Sequence, residues 1–180
     1  MKIIVLSIEQ VEPAVLEQVQ ENLTKIFLHV KFVTLKGFTT VPQEAYNSER
    51  KQYISSFLLS LLRDYLEKTD ADKILGITTV DLYAPPLNFV FGEAELNGEL
   101  AIISLCRFHQ EFYGKPADQT LFLERTLKEA THEIGHTFGL THCSDPFCVM
   151  FFSNSILDVD RKCPDFCQEC LKRVHTLLSH

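Results

Sequence analysis

The chain has 180 residues, 46% hydrophobic and 23% charged, which suits one globular domain whose core needs no disulfide staples. A net charge of -7 argues against a dedicated nucleic-acid binder, because phosphate recognition needs a basic face. No apolar run approaches the roughly 20 residues that span a bilayer, so neither nucleic acid nor membrane is an expected partner.

Ile3 to Ile8 is short and β-rich and reads as a buried strand; it meets Glu9 and Glu12 too soon for a targeting segment, and a cytoplasmic location is expected. Pro13 to Phe27 carries Val15, Val19, Leu23, Ile26 and Phe27 at helical spacing. Lys31 to Phe38 reads as a second strand ended near Gly37. Ser48 is a candidate cap for a long helix reaching Glu67, with Tyr53, Phe57, Leu61, Leu62 and Tyr65 inward. Lys73 to Leu82 gives a third strand, closed by Pro85-Pro86. Asn88 to Leu96 and Glu99 to Leu105 flank Asn97-Gly98, a two-residue hairpin signal. A helix should run from about Asp118 through Phe122, Leu127 and Ala130 into a histidine-rich stretch. From Gly139 to Lys162 the chain looks like loop, and a short last helix carries Leu171, Val174, Leu177 and Leu178. The expectation is an α+β fold, a mixed sheet with helices followed by a metal-organised tail. One domain over 1–180 should hold two parts, about 1–138 and about 139–180.

The chemistry concentrates in His132-Glu133-Ile134-Gly135-His136-Thr137-Phe138-Gly139-Leu140-Thr141-His142. Residues four apart on a helix share a face, so His132 and His136 can share one ion. Glu133 follows the first histidine and is turned beside the metal, where it can take a proton from a water and pass it to a leaving amine. Gly139 can adopt the left-handed conformation that ends a helix and returns His142 as a third ligand. Three neutral imidazoles leave zinc at +2 with an open position, lowering the pKa of a water from 15.7 towards ~7. The isolated histidines His29, His109, His175 and His180 read as surface or packing residues.

The pattern His132-Glu133-x-x-His136-x-x-Gly139-x-x-His142 resembles the metzincin signature of zinc endopeptidases. Continued through Cys143, Cys148-Val149-Met150 and Cys167-x-x-Cys170, it is similar to the archaemetzincin branch. The resemblance implies a peptide or protein substrate laid along an edge strand above the metal, for which Asn88 to Glu95 is the favoured candidate. It also implies that Met150 forms a hydrophobic base under the site, a role compatible with Met as core filler. Some metzincins add a tyrosine after that methionine; none follows Tyr113 here, so zinc should carry most of the charge of the tetrahedral state.

Five of the six cysteines lie at or beyond position 143, while Cys106 stands apart. In a reducing compartment such clustering favours metal over disulfides. Cys143, Cys148, Cys167 and Cys170 make a candidate closed four-thiolate zinc site, which would fix the backbone presenting His142. Cys163 is surplus. Two zinc ions per chain are expected, one catalytic and one structural.

Two other spacings coincide. Cys163-x-x-x-Cys167-x-x-Cys170 matches the cluster of radical-SAM enzymes, but those place it early in a long α/β chain, whereas ten residues follow Cys170. The histidine spacing also matches a bacterial RNA-maturation hydrolase family, which lacks glutamate after the first histidine. The leading expectation is a zinc metallopeptidase with Glu133 as base; the alternative is a zinc-stabilised peptide-binding module with vestigial or restricted activity. Oligomeric state is not legible.

Overall fold

The computed structural model describes residues 1–37 and 40–178. Strands β1 (Lys2–Ile8), β2 (Lys31–Lys36), β5 (Lys73–Thr78), β7 (Gly92–Ala94) and β8 (Leu100–Ser104) form the main sheet in the order β2-β1-β5-β8-β7. The first four in that order run parallel, and β7 lies antiparallel at one edge. Strands β3 (Tyr46–Asn47), β4 (Gln52–Ile54) and β6 (Leu82–Tyr83) form a small second sheet.

Parallel strands need covering on both faces, and that explains the unbroken apolar run in β1. Val5, Leu75 and Ile103 face helices α1 (Pro13–Ile26) and α3 (Gln119–Thr137), packing with Val19, Leu23 and Ile134. Ile4, Ile74 and Ile102 face helix α2 (Ser55–Leu66), packing with Leu58 and Leu62. Two short helices follow, α4 (Ile156–Arg161) and α5 (Gln168–Leu178). The mixed sheet and helices give the expected α+β fold.

Several local expectations are corrected. Ser48 caps no helix. The Asn47 side-chain oxygen accepts from the backbone N–H groups of Glu49 and Arg50, both at 3.1 Å, and this Asx turn with left-handed Lys51 (φ 57°) sends the chain into a hairpin. Helix α2 starts only at Ser55 and buries Leu58, Leu59, Leu62 and Leu66, leaving Phe57, Leu61 and Tyr65 part-exposed. Lys73 to Leu82 is split, its last residue joining the second sheet through β6. The hairpin at Asn97-Gly98 exists, but its last pair is Glu95–Leu100 (N to O 2.9 Å), so four residues turn rather than two. The stretch Gly139 to Lys162 contains α4, whose Ser155 and Asp158 form a reciprocal capping box. In α5, Val174 and Cys170 are buried while Leu171 and Leu177 are 38% and 43% exposed. Phe38, the expected end of the second strand, and His180 lie outside the described residues.

Candidate metal centre and cleft

Helix α3 is fixed at both ends. The Asp118 carboxylate caps its start, accepting from Leu121 N–H at 2.9 Å. At its end Gly139 (φ 87°) closes the helix: Leu140 N–H donates to Gly135 O at 3.1 Å and Gly139 N–H to His136 O at 2.8 Å. These two bonds are the Schellman pair, and the left-handed residue turns the chain back towards the helix.

That turn brings His142 to His132 and His136: the ligand nitrogens of the three all lie within 4.8 Å of one another. Nε2 of His132 and Nε2 of His136 are 3.1 Å apart. Their other nitrogens are occupied, His132 Nδ1 lying 2.8 Å from Val149 O and His136 Nδ1 2.7 Å from Leu140 O. A carbonyl only accepts, so each Nδ1 carries the proton and each Nε2 is left with its lone pair. Burial holds His132 well below the ordinary imidazole range, with the Lys162 ammonium and His136 adding to it; burial also lowers His136 and His142. Neutral imidazoles are the form that binds metal.

Glu133 is 3% exposed. Burial raises its carboxyl well above the usual range, the Glu129 carboxylate adds to the rise, and the Lys162 ammonium opposes it. Gly92 of β7 passes directly over it: a Cβ there would lie 2.6 Å from Glu133 Oε1, so any larger residue would have to displace the glutamate side chain. Gly135 has the same role below, where a Cβ would meet Met150 Sδ at 2.6 Å. Buried Met150 thus packs under the helix between the two histidines, carried by a tight turn in which Phe151 N–H donates to Cys148 O at 2.9 Å.

A cleft of about 590 Å³ opens over these groups. The segment Leu87 to Leu96 forms one wall and Phe152 to Asn154 the other, and Phe152 packs on His142 at 4.9 Å between rings. Along β7 the bonds to β8 involve Phe91 O (2.8 Å from Ser104 N) and Glu95 N (2.9 Å from Leu100 O). Alternation in an antiparallel ladder turns the N–H and C=O of Gly92 and Ala94 the other way, to the open edge. The edge strand favoured from sequence, Asn88 to Glu95, thus contains the sheet edge, although only Gly92–Ala94 is strand.

The thiols of Cys143, Cys148, Cys167 and Cys170 also gather within 4.8 Å of one another, Cys143 Sγ and Cys167 Sγ being 3.8 Å apart. A tetrahedron of Zn–S bonds of about 2.3 Å has edges of about 3.8 Å, so the set fits zinc. Backbone N–H groups of Asp145 and Cys167 donate to Cys143 and Cys148 sulfurs at 3.4 and 3.3 Å, as they would to thiolates. Burial pushes the Cys148 and Cys170 thiols up, while the Cys170 backbone N–H pulls Cys167 down. Cys163 is exposed and Cys106 half-buried, neither in the cluster. His109 stacks on Phe122 at 4.2 Å, a packing role.

Two residues of the site escaped the sequence. Glu129 reaches the cleft one turn before Glu133, and the buried Lys162 pairs with it at 3.4 Å. Glu129 had a signal, three before His132 and four before Glu133 on the same helix face; Lys162 had none.

Comparison with known proteins agrees with this geometry. The model of peptidase family M54 matches residues 1–176. The archaemetzincin of Methanocaldococcus jannaschii is 48% identical over 154 residues, 82% of this chain and 83% of that protein. That of Pyrococcus abyssi is 41% identical over 180 residues, covering 98% and 96%. The crystal structure of archaemetzincin from Methanopyrus kandleri is similar at a TM-score of 0.88 and 39% identity, covering 100% of this chain and 96% of that one. Among the described residues no helix is long and apolar enough to cross a membrane.

Proposed function

The chain belongs to peptidase family M54, the archaemetzincins, and is a zinc metallopeptidase; from that premise we propose that His132, His136 and His142 hold a catalytic zinc and Glu133 is the general base. We further propose a second, structural zinc on Cys143, Cys148, Cys167 and Cys170. Zinc, when bound, lowers the pKa of water towards about 7 and stabilises negative charge on the scissile carbonyl oxygen. The peptide would lie antiparallel to β7, its backbone bonded to the outward N–H and C=O groups of Gly92 and Ala94. Glu133 takes the proton of the attacking water as its oxygen bonds to the carbonyl carbon. As the carbon–nitrogen bond breaks, the same carboxyl returns that proton to the departing nitrogen, so the base is regenerated. A carboxyl in dry surroundings, with its affinity for protons raised, suits this two-way transfer.

The observation that carries this reading is the convergence of three imidazoles, two Nε2 atoms at 3.1 Å, beside a buried glutamate under an open cleft. Glu133→Gln preserves shape and removes the base. It should keep two zincs per chain and lose activity on unblocked and end-blocked peptides by about 10²–10⁴-fold. Undiminished hydrolysis by this variant would reject Glu133 as base.

A further inference from the structure

The Lys162 side chain is 0% exposed and its ammonium lies 3.4 Å from Glu129 Oε2. Two charges withdrawn from water lose about as much in solvation as they gain from each other, so this pair needs a reason other than stability. Its surroundings supply one. A carboxylate oxygen of Glu129, a ring nitrogen of His132 and a carboxylate oxygen of Glu133 lie within 4.8 Å of one another, a set able to hold a divalent cation. Through the shared His132, Glu129 stands beside the three-histidine set and carries the charge to compete for an ion held there. A fourth protein ligand would convert an open catalytic zinc into a closed structural one.

Neighbouring cations do not restrain Glu129. Arg125 is committed to Asp160 at 2.6 and 2.8 Å, and Lys128 to the carbonyl oxygens of Val159 and Asp160 at 3.3 and 3.4 Å. Only Lys162 among these three is paired with it. An ammonium has no lone pair, so it can occupy the acidic corner without itself ligating metal. Building on the metallopeptidase reading of this site, we propose that Lys162 is a positioning residue: it holds Glu129 off the zinc and so keeps the fourth coordination position open for water and substrate.

The test compares zinc-loaded wild type, Lys162→Met and Lys162→Met/Glu129→Gln by crystal structure, by zinc competition with a chromophoric chelator, and by kcat. In Lys162→Met a Glu129 oxygen should sit about 2.0–2.2 Å from zinc. The zinc dissociation constant should fall by about tenfold or more while kcat falls. In the double variant, where the pair is neutral and foldability is safeguarded, zinc affinity should return to the wild-type value and kcat should rise well above the single variant. Glu129 remaining away from zinc in Lys162→Met, with an unchanged dissociation constant, would overturn the proposal. So would a folded, zinc-loaded double variant whose kcat is as low as that of the single variant, or as low as Glu133→Gln if the single variant does not fold. No zinc on the histidines of the wild type would sink the metallopeptidase site itself, and this proposal with it.

Discussion

Replacing Gly92 by alanine puts a methyl group where the Glu133 side chain lies. The new Cβ would be 2.6 Å from Oε1, 2.7 Å from Cγ and 2.8 Å from Cδ. Comfortable separations are about 3.5–4.0 Å, so the carboxylate must retreat by about 1 Å, and three atoms in contact mean the whole side chain moves. Gly92 is not in the left-handed region, so alanine adds no backbone strain. It also keeps the outward N–H and C=O of the edge strand. The effect should therefore fall on proton transfer rather than on peptide binding. A misplacement of about 1 Å costs on the order of 10²-fold in rate, and overpacking costs about 1–3 kcal/mol of stability. Steady-state kinetics on a peptide substrate should show kcat reduced about a hundredfold with KM and zinc content little changed, and a thermal melt lowered by a few degrees. Placed in the Glu133→Gln chain, the same substitution should reduce kcat little further, since both changes act on one group. Wild-type kcat in Gly92→Ala would refute the proposal that Glu133, beneath β7, is the base.

Gly135→Ala should be coupled to Met150. The helix gains about 1 kcal/mol from alanine, but the Cβ at 2.6 Å from Met150 Sδ costs about 1–3 kcal/mol, so the single variant should unfold at lower urea. With Met150→Ala the added methyl enters vacated space, so the double variant should exceed Met150→Ala in stability; additive urea midpoints would reject the contact. In metal-free protein, the raised carboxyl of Glu133 means the native state binds more protons than the unfolded chain between about pH 4.5 and its folded pKa, so its contribution is lost as pH rises. Metal-free Glu133→Gln should accordingly be more stable than wild type at neutral pH, the advantage vanishing below about pH 4.5. In that variant the lowered imidazoles have the opposite sign: the unfolded chain binds the extra protons, so stability should fall as pH drops below about 6.5. Urea midpoints flat across pH 5 to 8 would contradict the lowered proton affinity of these imidazoles.

What the sequence revealed was what local spacing determines. A helix expected from about Asp118, histidines one turn apart and a glycine three residues on gave α3, its end and the return of His142 with few long-range contacts. The gathering of Cys143, Cys148, Cys167 and Cys170 was legible because cysteines are few and these lie close together in the chain. Failures came where one side chain or a distant partner decided. Asn47 turned a stretch with helical apolar spacing into a hairpin through two hydrogen bonds. Helix α4 spans six residues, too few for a periodic pattern, and buries only Val159. Lys162 looked like any surface lysine, because its burial depends on Glu129, 33 positions away.

The buried polar layer between α3 and α4 is better understood as a register device than as a source of stability. Arg125 is fixed by both oxygens of Asp160 and by Phe108 O at 2.7 Å, Lys128 by two carbonyls of α4, and Glu129 by Lys162. An apolar interface tolerates sliding; a shift of one residue here would leave several buried charges unpaired, at a cost of several kcal/mol. Helix α4 lies between Cys148 and Cys167, so its register on α3 also helps set where the cysteine cluster and the Met150 turn fall. At the other end of α3, the Lys73 ammonium donates to Thr137 O at 2.9 Å and to Gly98 O, and Asn97 N–H donates to His136 O at 2.9 Å. Directional bonds at both ends oppose rotation of the helix about its axis. A turn of one residue, about 100°, would carry His132 and His136 off the cleft face, so the polar contacts preserve the one orientation in which three imidazoles and a glutamate meet.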